Sequence, residues 1–68
     1  MRIVKVIEVI ATSEQSFDDA AKRAVEQTSK TVKNIKSIWI QEMKGKVENN
    51  KIVSYGVNAK ISFEVEDQ

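Results

Sequence analysis

The sequence predicts a single α+β domain in β-α-β-β order, a three-stranded antiparallel sheet wrapped around one helix. Three observations carry that expectation. A β-branched opening run, "RIVKVIEVI", is followed by a segment of helical period, and then by two runs of alternating polarity joined at Asn49-Asn50.

The opening run is apolar on both faces, with Val4, Val6 and Ile10 on one and Ile3, Ile7 and Val9 on the other. Such a strand wants cover on both sides, and a domain with one helix supplies only one. In the next segment Phe17, Ala20, Ala21, Ala24, Val25, Thr28 and Val32 recur at three- and four-residue spacing. Ser16 followed three residues later by Asp19 is a capping-box variant, so the expectation is an amphipathic helix of about four turns.

The second half reads as a long hairpin. From Val53 to Val65 every second residue is apolar, which turns Val57, Ala59, Ile61 and Phe63 toward the helix. Asparagine tolerates the positive φ of a two-residue turn, so Asn49-Asn50 pairs Glu48 with Lys51. A uniform register then sets Ile40 opposite Ala59 and Ile38 opposite Ile61. On the far face it sets Ser37 opposite Ser62, Trp39 opposite Lys60, Gln41 opposite Asn58 and Met43 opposite Gly56.

Size and composition narrow the function classes. A 68-residue chain buries too little apolar surface to be comfortably stable without a staple. There is no cysteine for a disulfide or thiolate metal site, and no histidine, which leaves self-association. Eleven basic against ten acidic residues give a net charge of +1, too little to argue for nucleic acid or an anionic membrane as partner. With no secretory pattern and no run of membrane-spanning length, the expectation is a soluble, cytoplasmic homo-oligomer. Catalysis has no nucleophile-and-base pair to stand on, so an enzyme is not expected.

The uniform register points Trp39, the only tryptophan, away from the helix. An indole on a mostly polar sheet face, beside Ser37 and Gln41, serves either as a contact with a neighbouring subunit or as a platform for a flat ligand.

The run "VIEVIATSEQSFDDAAKRAVEQTSKTVKNI" resembles the dodecin family, in Ala11-Thr12-Ser13, Ser16-Phe17-Asp18-Asp19, Ala20, Ala24 and Thr31-Val32-Lys33-Asn34-Ile35. The second half continues the likeness with Tyr55 and the ending Ile61-Ser62-Phe63-Glu64-Val65-Glu66. The resemblance implies twelve copies in a hollow shell, and storage or sequestration of a flavin (riboflavin or FMN). It also implies a flavin stacked on a tryptophan of the second strand and covered by a glutamine from the last strand of a neighbouring copy. An ungapped match puts those two positions at Ser37 and Gly56. The chain's own indole, Trp39, lies two residues further along the same face, about 7 Å away.

Glu42 matches the family's acid, five positions after its tryptophan, although strict alternation turns it toward the helix. The candidate cofactor-binding residues are therefore Ser37, Trp39, Gln41, Glu42, Lys44, Gly56 and Asn58. The alternative is a shell of the same shape without a flavin site, either purely structural or holding another ligand. A divalent cation would use Glu64, Glu66 and Asp67 gathered from several copies, and a nucleotide-bearing cofactor would set its phosphate at Lys44, Lys46 and Lys51.

Overall fold

A computed structural model describes residues 2–65. Strand β1 (Ile3–Ser13) leads into helix α1 (Phe17–Thr28), and strands β2 (Ile35–Glu48) and β3 (Lys51–Val65) form the hairpin. The sheet order is β1-β3-β2, with both pairings antiparallel.

The β1–α1 turn is built from short polar side chains. The hydroxyl of Ser13 accepts from the backbone N–H of Gln15 at 2.9 Å and donates to Asp19 Oδ2 at 2.6 Å. Ser16 is the N-cap, its Oγ accepting from the backbone N–H of Asp19 at 2.9 Å. Only half of the expected capping box forms. The Asp19 carboxylate turns instead to Ser13 and to Arg23, whose Nε donates to it at 2.7 Å.

The helix is shorter than expected. Twelve residues make about 3.3 turns, and Val32 lies beyond its end. The stretch Ser29-Lys30-Thr31-Val32 is rich in hydroxyl and β-branched residues that favour other conformations, and it leaves the helix by a tight turn. Asn34 then adopts a φ of 64°, and its carbonyl accepts from the Glu64 N–H at 3.0 Å, tying the connection to β3.

Ala20 and Ala24 of α1 and Val57, Ala59 and Ile61 of β3 form the buried core. Small residues on the contact line let the helix lie close over the central strand. Phe17 and Tyr55 meet edge to face at 5.0 Å between ring centroids. Ile61 is the largest fully buried side chain, and truncating such a residue to alanine costs about 2–5 kcal/mol.

The turn forms as the asparagines predict, with φ of 52° at Asn49 and 65° at Asn50, and Glu48 opposes Lys51. At the base of the hairpin the expected pairs are also present, from Ser37–Ser62 to Ile40–Ala59. Between these ends the register differs. Gln41 is an extra residue on β2, and Val53 is an extra residue on β3. Gln41 therefore does not face Asn58, and Met43 does not face Gly56. Glu42 opposes Asn58, Met43 opposes Val57 and Lys44 opposes Gly56. The shift sets Met43 in the row of Val57 and Ala11 on the helix side and turns Glu42 and Lys44 outward.

The chain is elongated, 54 × 20 × 13 Å, because the hairpin runs on past the helix. Met43, Val47, Ile52 and Val53 are exposed in this projecting part. Among the described residues no helix is long and apolar enough to cross a membrane. Glu66 and Asp67 of the expected cation set lie outside the described residues.

Candidate functional site

The sheet face turned away from α1 is laid out in rows of three, one side chain from each of β1, β3 and β2. Val6, Ser62 and Ser37 form one row, and Glu8, Lys60 and Trp39 the next. Ile10, Asn58 and Glu42 follow, then Thr12, Gly56 and Lys44. Residues directly opposite on antiparallel strands share a face, so the pairing alone fixes this layout.

Trp39 lies on this face and is 65% exposed. The Lys60 ammonium sits 5.8 Å from its ring centroid, a cation–π arrangement that holds one face of the indole. Beyond Trp39 the sheet is hollowed into a concavity of about 730 Å³, whose outward-facing lining includes Ile10, Thr12, Glu42, Lys44, Gly56 and Asn58. The volume is of the size that holds a small organic ligand.

Of the candidate residues, Glu42, Lys44, Gly56 and Asn58 come together in this concavity, and Trp39 stands one row away. Glu42 reaches it because the bulge at Gln41 reverses the alternation that was expected to turn it toward the helix. Gln41 itself is the unpaired residue and lines no part of the hollow. Ser37 lies further down the face, its hydroxyl 2.5 Å from that of Ser62. Ser37 and Gly56 are three rows apart, whereas Trp39 and Asn58 occupy neighbouring rows.

Asn58 has an unusual environment. Its Oδ1 is buried and finds no hydrogen-bond partner among the described residues. Native structures leave few buried acceptors in that condition, since the cost of desolvation is then not returned.

Thr12 escaped the sequence reading. Its signal was present in the alternation of β1, which places Thr12 on the face of Ile10, but the β1–β3 register that brings it beside Gly56 was needed as well. The site offers an aromatic plane, a carboxamide, a carboxylate and an ammonium. Such a set has the chemistry to orient a flat polar ligand.

The family model described as Dodecin matches residues 3–66. Among solved structures, a dodecin from Streptomyces coelicolor is 25% identical, with 98% of this chain and 96% of that chain covered and a TM-score of 0.91. A protein from Thermus thermophilus is 22% identical over the whole of both chains, with a TM-score of 0.94. A calcium dodecin from Mycobacterium tuberculosis, described as a calcium-chelating immunodominant antigen with a novel calcium-binding site, is 27% identical. The match covers 97% of this chain and 94% of that chain, with a TM-score of 0.80. No curated protein sequence matches the chain.

Proposed function

This chain belongs to the dodecin family, a family of small ligand-binding proteins, and on that footing we propose that it sequesters a flat cofactor of the flavin type, riboflavin or FMN, in a homo-oligomeric shell of twelve copies. The observation that carries the reading is Trp39: an indole left 65% exposed on the outer sheet face, one row from a ligand-sized hollow. Ser37 and Gly56 stand where the family's tryptophan and glutamine are expected, so the platform role falls to the indole one row nearer the hollow.

The shell is supported by what a single copy leaves uncovered. Val4, Val6 and Ile10 line one side of β1 on the face without a helix, and Val6 is 57% and Ile10 77% exposed. Burying such side chains against another copy is worth about 1.5–3 kcal/mol each, which is the stabilisation a chain of this size lacks.

A second reading has its own observation. Lys44 and Lys46 border the hollow, so a nucleotide-bearing cofactor would find cations for its phosphate there. For a divalent cation the described residues offer less, because the Glu64 carboxylate is held by Arg2 at 2.6 Å.

Fluorescence titration with riboflavin tests the first reading. Quenching of the flavin by the purified protein is expected. Trp39→Ala should weaken binding by roughly tenfold to a hundredfold, the value of one aromatic stacking contact. Flavin that stays fully fluorescent in excess protein would refute the flavin assignment.

A further inference from the structure

We infer that Asn58 is the residue that selects the ligand, by pairing its carboxamide with a ring edge that carries an N–H beside a carbonyl. The inference rests on the flat-ligand reading above and narrows it to planar heterocycles with a lactam or imide edge.

The first ground is the orphaned acceptor. Asn58 Oδ1 is buried on the outer face, at the centre of its row between Ile10 on β1 and Glu42 on β2. Ile10 has no donor, and the carboxylate side chain of Glu42 is an acceptor. A donor must therefore come from a longer side chain or from outside the chain, and the hollow lined by Asn58 is open to a ligand. The torsion that carries a carboxamide is broad, so a modest turn presents the oxygen to a ligand in the hollow.

The second ground is what a carboxamide offers. It holds one acceptor and one donor side by side in a plane. The complementary partner is a cis-amide edge, in which ring N–H and C=O stand side by side. A methylated ring nitrogen, an ester or a plain hydrocarbon edge leaves the oxygen unpaired, and discrimination against a ligand that leaves a buried polar group unpaired is strong.

The third ground is placement. Asn58 and Trp39 sit on neighbouring strands in neighbouring rows, a diagonal pair about 7–8 Å apart at the backbone. A bicyclic or tricyclic ring covering the indole reaches that far in its own plane. The aromatic platform and the polar reader of the edge therefore come from one chain.

The experiment compares riboflavin with 3-methylriboflavin, which differs only in the ring N–H. The unaltered protein should bind riboflavin at least about tenfold more tightly, the usual consequence of leaving a buried acceptor unpaired. Asn58→Leu, close in volume, should bring the ratio to about one by weakening riboflavin alone. Trp39→Ala should weaken both ligands and leave the ratio intact. Equal affinities in the unaltered protein would overturn the role of Asn58 while leaving the flavin platform standing, and so would a ratio that survives Asn58→Leu. Failure to bind either flavin would overturn both readings. The comparison of ligands needs no variant, so a folding defect in Asn58→Leu does not remove the test.

Discussion

The hydroxyls of Ser37 and Ser62 lie 2.5 Å apart across β2 and β3 on the outer sheet face, and Ser37 is the position at which the resemblance to the family leads one to expect an indole. Both residues are solvent-accessible, so replacing Ser37 leaves no buried group unpaired. Gly56 has no positive φ, and a Cβ there would meet the Lys44 carbonyl oxygen at 3.4 Å and Thr12 Cγ2 at 3.7 Å, ordinary contacts. Ser37→Trp combined with Gly56→Gln should therefore fold and should strengthen riboflavin binding by about 2 kcal/mol, roughly thirtyfold. Titration of the double variant beside the unaltered protein measures it; unchanged affinity would mean that this assembly brings those two positions to no common ligand.

Self-association should depend on the outer side of β1. Val6, 57% exposed in the single chain, is a site where a charge would have to be buried on assembly. Val6→Lys should shift the mass seen by light scattering from a large oligomer toward monomer or dimer, with a lower melting temperature. A large particle that forms equally well from the lysine variant would place the subunit contact elsewhere.

Acid should loosen the β1–α1 turn. The hydrogen bond from the Ser13 hydroxyl, followed by that from Arg23, holds the Asp19 carboxyl below its ordinary value of 3.8. A group with a lowered value in the folded state stabilises fully above 3.8 and loses that contribution as the pH falls through the lower folded value. Melting temperatures from about pH 5 downward should fall more steeply for the unaltered protein than for Asp19→Asn, the two curves converging at the acid end. Parallel curves would remove Asp19 from the acid response.

Phosphate should add an electrostatic contribution. Lys44 and Lys46 line the hollow beside Asn58, so FMN should bind more tightly than riboflavin at low salt. The advantage should shrink between about 50 and 300 mM salt, where screening shortens from roughly 14 to 6 Å, whereas riboflavin affinity should hardly change. A salt-independent ratio would place the phosphate away from both lysines.

The strand and helix assignments, the turn and the base of the hairpin were legible because each rests on a local signal: period, cap or positive φ. Trp39 opposite Lys60 followed from counting down from the Asn49-Asn50 turn. The middle of the hairpin was not legible that way. An inserted residue at Gln41 and another at Val53 cancel between the turn and the Ser37–Ser62 pair, so a count that is right at Glu48–Lys51 and at Ser37–Ser62 misplaces Glu42 and Lys44 between them, and a third extra residue, Lys36, shifts Ile35 to Phe63 beyond. The clue lay in Met43, an apolar residue that uniform alternation would have turned outward. The orphaned Asn58 oxygen was also invisible, because satisfaction of a polar group is a property of three strands together.

The paired bulges also make the hairpin modular. Between Gln41 and Val53 lies a short cassette, Glu42 to Lys46 with its partners Ser54 to Asn58, that is framed on each side by one compensating residue. Its facing is set by those two residues and by nothing at the turn or the strand base. A deletion at one frame matched by a deletion at the other would keep the turn in phase while changing the backbone twist under the hollow. Lineages of this fold thus have a route to reshape the rim of the hollow by short, balanced length changes, leaving the helix, the core and the turn untouched.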